Sequence, residues 1–560
     1  NKEEVLDHFN KTFDFAKSQM GSAQEIALRL TPLKDVYYTH DTTFDFNPKG
    51  HRETNYVLLG IAFLILFIAG INFTNLTTSL IPLRLKTINT HRVLGCSIYK
   101  LRAISLIESI VICLISYILA LFIVNDLSYT PIANWVDADI RLSQYKGLIL
   151  LTALIAILTG CLAGLYPAIR STSYAPALVL KGSFGLSPKG KKVRVALIGF
   201  QYTVSIALII VTLFMGLQNH FMTSSEQLGF NKDQVAIVNL TPEIYAKHKP
   251  QYIQKLKDYP GIEDVAFSVY ELSKEDDMID LEYARHEDKD VFFKVFYASE
   301  NFLSVMDIQV EEGRDFTRED LNKAQSDYII NPAAERDFHL HPGDRFNDRT
   351  VLGVSKDFRF NSCRIASSPF VFALNNDIPN PKLVSYIRFN SKTNLQEAVA
   401  HVRETLKEID PTFPFEISFY NTILNNLYQK EQTLGKLISL FGIMAILISI
   451  VGVFGLVLFE TQYRRKEIGI RKINGATTGQ ILLMFNKTYI RIVSVCFIIS
   501  IPIAWMGTQQ WLENFAYKTP LHLWVFIVAF LIILSVTIGT VTFRNWQAAN
   551  ENPVNSVKSE

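Results

Sequence analysis

At 560 residues, with 49% hydrophobic and only 19% charged side chains, the chain is too long for one small domain and too apolar for an ordinary soluble protein. A net charge of +2 excludes a global nucleic-acid footprint, so what matters is where the charges sit. The five cysteines (Cys96, Cys113, Cys161, Cys363 and Cys496) include no CxxC spacing, and four lie in or beside apolar stretches, which excludes a disulfide scaffold and a zinc ribbon.

In chain order, residues 1–55 hold neither a signal peptide nor a span. Beginning at Asn1, they read as the later part of a longer protein. Seven runs then reach the roughly 20 apolar residues that a bilayer requires: 56–81, 103–124, 147–169, 195–217, 436–459, 488–507 and 522–543. The loop 82–102 carries Arg84, Lys86, Arg92, Lys100 and Arg102 without an acid. The loop 170–194 carries Arg170, Lys181, Lys189, Lys191, Lys192 and Arg194, and the loop 460–487 carries Arg464, Arg465, Lys466, Arg471, Lys472 and Lys487. The alternate loops, 125–146 and 512–521, are poor in positive charge. Positive charge marks the cytoplasmic side, so the C-terminus is expected inside and residues 1–55 and 218–435 outside. Seven spans with an outside start predict one earlier span.

The long polar stretch 218–435 reads as an α/β domain. Strand-like runs are VAIVNL (235–240), VFFKVFYA (291–298), TVLGVS (350–355) and LVSYIRF (383–389); helical runs are KPQYIQKLKDY and NLQEAVAHVRETLKEI. The second helix places Leu395, Val399, Val402 and Leu406 at helical spacing. The order predicts an open mixed sheet with helices on one face. TILNNLYQKEQTLGKL is expected to continue the next span outward as a stalk.

Two basic loops repeat each other. LRLKTINTHRVLGCS (83–97) and YRRKEIGIRKINGAT (463–477) align without gaps, pairing Arg84 with Arg464, Lys86 with Lys466, Ile88 with Ile468, Arg92 with Lys472 and Gly95 with Gly475. Each follows one span and precedes two. The tails also match, YPAIRSTSYAPALVLK ending at Lys181 and FRNWQAANENPVNSVK at Lys558. Internal duplication of this kind recurs in transporters. The predicted parts are 1–55, the remainder of a first outer domain; 56–181, a three-span unit; 182–194, a cytoplasmic linker; 195–217, a span; 218–435, the second outer domain with its stalk; and 436–560, a second three-span unit with a tail.

Catalytic constellations are absent from the sequence, with no GxSxG and no HExxH. GLSPKGKK (185–192) has the GxxxxGK spacing, but Lys192 replaces the hydroxyl residue that magnesium needs, and a flexible basic linker is the better reading. His339 and His341 would share one face of a strand and could bind metal, but HLHPGDRF reads as a turn before a strand. Asp357 in KDFRF reads as strand-end structure. Glu108 inside its span is expected beside Arg102 or Arg92, since an unpaired charge there is costly. No catalytic residue, metal ligand or cofactor is assigned.

KEIGIRKINGAT makes the pattern specific. It resembles the signature of FtsX-like ABC transporter permeases, and LTPLKDVYY, INFTNLTTS, GFQYTVSIALIIVTLFMGLQ, LGFNKDQVAIVNL and VLGVSKDFRF are similar to members with a MacB-like periplasmic core domain. The resemblance covers essentially the whole chain. It implies an α-helical transmembrane protein of the bacterial inner membrane, with seven spans in two degenerate repeats of a four-span plan and α/β domains in the periplasm. It implies ATP hydrolysis by a separate ABC ATPase dimer, which Arg464, Lys466, Glu467, Gly469, Arg471, Lys472 and Gly475 would engage, and with them Arg84, Lys86, Arg92 and Gly95. Gly469 and Gly475 would allow close approach or a sharp turn. Thr87, Asn89 and His91 replace Glu467, Gly469 and Arg471 in the first loop, which marks the second as the better-preserved coupling element. Further implied partners are a second permease copy, a periplasmic adaptor or outer-membrane component, and membrane lipid, with no nucleic acid. The implied activity is export or extraction of peptide, antibiotic or lipoprotein cargo by mechanotransmission. The rival is a non-transporting transducer that controls cell-wall hydrolases or senses peptide antibiotics.

Overall fold

The computed structural model describes residues 2–12, 30–39, 50, 52–130, 133, 141–173, 188–224, 228–273, 280–287, 289–323, 325–359, 362–374 and 383–550. Lys181, residues 185–187 of the P-loop-like segment and Lys558 lie outside them.

Residues 1–63 form one compact unit. It holds α1 (Lys2–Thr12), the short α2 (Leu33–Val36) and the start of α3 (Arg52–Ser79). Arg52 pairs with Asp35 and lies 4.8 Å from the Tyr38 ring centroid, tying the start of α3 to α2.

The second unit carries most of α3, then α4 (Ile81–Val93), α5 (Ile98–Leu127), α6 (Lys146–Thr172) and α7 (Pro188–Thr223). Seven helices among the described residues are long and apolar enough to cross a membrane. Four are α3, α5, α6 and α7. α5, α6 and α7 outrun their predicted spans at both ends, because polar residues flanking an apolar run still continue its backbone hydrogen bonding, while α3 starts earlier than predicted and stops at Ser79.

Between Val235 and Phe419 the chain alternates short strands and helices: β1 (Val235–Leu240), α8 (Lys249–Lys257), β2 (Ile262–Ser268), β3 (Asp280–His286), β4 (Lys289–Ala298), α9 (Phe302–Met306), β5 (Val310–Gly313), β6 (Tyr328–Ile330), α10 (Pro332–Phe338), β7 (Arg345–Phe346), β8 (Arg349–Ser355), β9 (Phe370–Leu374), β10 (Leu383–Phe389), α11 (Leu395–Ile409) and β11 (Ile417–Phe419). The strand order is β11-β1-β10-β2-β4-β9-β6-β8-β5, with β3 on β4 and β7 on β8. Two pairs, β4 with β9 and β6 with β8, are parallel and the rest antiparallel, so the sheet is mixed as expected. The predicted placement of helices on one face is wrong. Alternate residues of β1 feed two cores, Ala236 and Val238 beside Tyr252 of α8 and Val402 of α11, Val235 and Ile237 beside Phe302 of α9 and Tyr420. A strand turns successive side chains to opposite faces, and here both faces are covered. β9 shows this directly, since all five of its residues are buried.

After β11 come α12 (Tyr420–Leu427), α13 (Gln429–Tyr463), α14 (Arg465–Ile473), α15 (Thr478–Leu512) and α16 (Leu523–Ala549). α13, α15 and α16 are the remaining membrane-length helices. The predicted stalk is continuous with its span from Gln429 onward; a turn at Tyr428 sets α12 off from it. α7 and α13, which bracket the α/β domain, pack along a heptad seam. Asn219 faces Gly435, Thr212 faces Gly442, and Ser205 hydrogen-bonds Ser449 at 3.0 Å. Small residues at these positions let two helices approach closely in lipid.

Candidate functional site

Both predicted coupling loops are helices. α4 follows α3 after a one-residue break at Leu80, and α14 follows α13 after Arg464. Their C-terminal turns are built alike. Gly95 (φ +91°) and Gly475 (φ +86°) occupy the left-handed region, where a Cβ is disfavoured. The Gly95 N–H donates to the Arg92 carbonyl at 3.0 Å and the Cys96 N–H to the His91 carbonyl at 2.9 Å. The corresponding bonds from Gly475 to Lys472 and from Ala476 to Arg471 are both 3.0 Å. Ser97 and Thr477 then cap α5 and α15, accepting at 3.3 Å from the Lys100 and Gln480 amides. One turn of identical design thus joins each short basic helix to the next span. Gly469 plays no such part; it is buried within α14.

The two helices also bury one corresponding position, Asn89 and Gly469. Leu85 and Asn89 are buried on α4, Ile468 and Gly469 on α14. The opposite face of α14 exposes Ile470, Arg471 and Ile473, and α4 exposes His91, Val93 and Leu94 beside half-buried Arg92. Sequence reading found the charges and missed the apolar partners. Ile470 and Ile473 at i, i+3 beside a basic pair were the available signal.

Salt bridges organise the second helix. Glu467 accepts from Arg471 at 2.8 Å and lies 4.0 Å from Arg464. Arg464 reaches back to Glu460 at 3.0 Å and lies 5.7 Å from the Phe485 ring centroid. The Tyr489 hydroxyl donates to Glu460 at 3.2 Å, so the α13–α14 corner is fastened to α15. The first helix reaches the same result with different residues. Arg84 makes a two-pronged contact with Glu108 on α5, both bonds 2.8 Å. This corrects the expected partner of Glu108. Arg102 and Arg92 instead donate to the hydroxyl and carbonyl of Thr172, at 3.0 and 3.3 Å, at the end of α6. The side chains of Lys86 and Lys466 lie outside the described residues.

The metal reading of His339 and His341 changes. Neither stands on a strand; His339 caps α10 with φ 53°, and the turn expected in HLHPGDRF leads into β7. His341 instead groups with Glu335 and Glu312, their ligand atoms all within 4.8 Å of one another. His341 and Glu312 are exposed, and we assign the group no role. Asp357 follows the end of β8, as expected of strand-end structure.

The FtsX-like permease C-terminal family model matches residues 59–176 and 439–553, the two segments that hold α4 and α14. Macrolide export ATP-binding/permease protein MacB from Aggregatibacter actinomycetemcomitans is 25% identical over 212 residues, 36% of this chain and 32% of that protein. MacB from Neisseria gonorrhoeae strain FA 1090 is 25% identical over 223 residues, 37% of this chain and 34% of that protein. This chain therefore aligns with about a third of the length of these relatives. The periplasmic region of MacB from Actinobacillus actinomycetemcomitans is 15% identical with a TM-score of 0.27, covering 36% of this chain and 94% of that structure. The extracellular domain of YknZ, titled a noncanonic ABC-type transporter from Gram-positive bacteria, is 16% identical with a TM-score of 0.25, covering 33% and 98%. With seven membrane-length helices among the described residues and one permease model matching two segments of it, the chain carries two FtsX-like permease C-terminal segments and is similar to MacB.

Proposed function

We propose that the chain couples ATP hydrolysis by a separate ABC ATPase dimer to movement of its α/β domain, with α4 and α14 as the docking elements. Arg464, Lys466, Glu467, Arg471 and Lys472 with Arg84, Lys86 and Arg92 supply the charged contacts, Gly95 and Gly475 the turn geometry, and buried Gly469 a close backbone approach within α14. The single observation that carries this is the pair of short basic helices, each closed by the same left-handed glycine turn and each exposing apolar residues beside its charges. A loop that only faced lipid headgroups through its charges would not need that turn twice. The basic loops face the cytoplasm of a bacterial inner membrane, together with the C-terminus, and the α/β domain faces the periplasm. The MacB relatives are named as ATP-binding and permease in one protein; here the ATPase is a partner chain.

A 35-residue α13, rising from Gln429 through its span to the α14 corner, gives the domain a rigid lever. Cargo is peptide, antibiotic or lipoprotein, handled on the outer side of the membrane by mechanotransmission, in a complex that includes a second permease copy and a periplasmic adaptor or outer-membrane component. Co-purification of the full chain in lipid nanodiscs is the test. A bound ATP-binding chain that cross-links to Ile470→Cys and Val93→Cys supports the proposal. Recovery of a histidine kinase or a cell-wall hydrolase, with no ATP-binding chain, overturns it in favour of signalling.

A further inference from the structure

The described residues of the loop leaving β8, 356–359 and 362–369, and the turn joining α15 to α16, residues 513–522, are remote in sequence but laced together. The Tyr517 N–H donates to the Cys363 carbonyl at 3.1 Å, and the Tyr517 hydroxyl accepts from the Ser367 N–H at 3.2 Å. The Arg359 guanidinium lies between two rings, 4.1 Å from the centroid of Tyr517 and 5.1 Å from that of Phe221 on α7. Arg364 lies 4.8 Å from the Phe515 centroid and donates to buried Glu431, at the foot of α13, at 2.7 Å. Gln218 on α7 holds the other side of the turn. Its amide donates to the Tyr517 carbonyl at 3.1 Å and accepts from the Thr519 N–H at 2.8 Å. Met222, Cys363, Tyr428 and Phe515 close an apolar core beneath.

Three properties make this a mechanical element. Backbone groups of the turn are paired on both sides, so it cannot slide without breaking main-chain hydrogen bonds. The Arg359 Nη1 atom is enclosed without a hydrogen-bond acceptor, and the two aromatic faces stabilise its charge instead. The loop is itself locked to the sheet, because fully buried Asn331 donates to the Ser368 carbonyl and accepts from the Phe370 N–H, both at 3.0 Å. α15 meets this joint at one end and the Gly475 turn at the other. It is a single helix of 35 residues, about 52 Å at 1.5 Å per residue.

We infer that the α15–α16 turn is a second attachment of the α/β domain, separate from the α13 stalk, through which displacement of α15 reaches β9. The attachment stands on its own contacts; that a bound ATPase displaces α15 rests on the proposed function.

Hydrogen exchange of the full chain in nanodiscs tests the attachment. In Arg359→Ala with Tyr517→Ala, amide exchange should rise roughly tenfold or more at β9 and at the last turn of α15, with β1 and β10 unchanged. Unchanged β9 and α15 amides would overturn the attachment. If β1 and β10 also loosen, the domain has lost its fold, and Tyr517→Phe with Arg359→Lys decides instead: faster exchange at Ser367 and β9 supports the joint, and wild-type exchange there overturns it. The second arm adds the co-purified ATPase, ATP and orthovanadate. Exchange at β9 should respond in the wild type and not in the double alanine variant, with ATP turnover measured without orthovanadate equal in both. A response that persists in the variant overturns transmission through the turn. An ATPase that leaves exchange at α14 unchanged in the wild type overturns the proposed coupling, while the first arm still decides the attachment.

Discussion

The Asn72 amide on α3 donates to the Ile448 carbonyl on α13 at 2.6 Å, and Gly452, one turn further along α13, leaves the space that the Asn72 side chain fills. A Cβ at Gly452 would stand 2.3 Å from Asn72 Oδ1, and one at Gly455 would stand 1.9 Å from a Leu76 methyl. In the alignment that pairs Arg84 with Arg464, Asn72 falls opposite Gly452.

Gly452→Ala should therefore separate α3 from α13 and destabilise the chain by about 1–3 kcal/mol, the usual cost of overpacking. Gly539→Ala on α16, where nothing lies within 4 Å of the added methyl, should be neutral or slightly stabilising. Thermal unfolding of the two variants in the same detergent checks the contrast.

The glycine turns give a prediction of another kind. A Cβ at Gly475 meets nothing within 4 Å, so the whole cost of Gly475→Ala is the left-handed backbone, about 1–2 kcal/mol. Gly475→Asn should recover part of it, since asparagine tolerates that region. If both substitutions cost the same in chemical unfolding, the turn is not what restricts the site.

Arg84 and Glu108 should be energetically coupled where Arg102 and Glu108 are not. A double-mutant cycle with Arg84→Gln and Glu108→Gln should return about 0.5–1 kcal/mol, and the same cycle with Arg102→Gln close to zero. A larger coupling for Arg102 would restore the pairing expected from sequence and contradict the observed geometry.

The α/β domain carries its own pH signature. Asp320 is buried and accepts from Arg314 at 2.7 and 2.8 Å, from Lys323, and from the Thr317 N–H at 2.9 Å. These donors, Arg314 foremost, hold its carboxyl far below the usual carboxylate range. A depressed folded-state pKa stabilises the domain above the unfolded value, about 3.9, and that stability is lost as pH falls toward the folded value. Asp320→Asn should cost about 2 kcal/mol at pH 7, and the gap to wild type should begin to narrow below about pH 4. Unfolding followed by tryptophan-independent exchange at Thr317 and Asp320 reads this part of the chain; a gap unchanged between pH 7 and pH 3 would count against the ion network.

Much of the architecture could be read from periodicity and length. VAIVNL and LVSYIRF are short β-branched runs, and both became strands at the predicted residues, 235–240 and 383–389. β2 and β3 were not recognised, because IEDVAFS and DLEYARH carry charges that blur the apolar signal. The second helical layer was missed for a related reason: α9 has only five residues, too few to show a helical period. In the coupling region the sequence marked charges and glycines but not their partners. Glu108 lies 24 residues from Arg84, and no local spacing rule connects them. The joint at Tyr517 was still less visible, since its partner Ser367 stands 150 residues earlier in the chain. Such contacts are set by tertiary packing, which local pattern does not encode.

The central claim is that α14 passes the ATPase's work to the rest of the chain. Glu467→Arg combined with Arg471→Glu tests it most directly, because the swap keeps an ion pair at i, i+4 while reversing the charge that faces the partner. The account predicts normal membrane insertion and unfolding, with stimulation of the co-purified ATPase reduced at least roughly tenfold, the factor that corresponds to 1.4 kcal/mol. Stimulation equal to wild type, in a variant that inserts and unfolds normally, would contradict it.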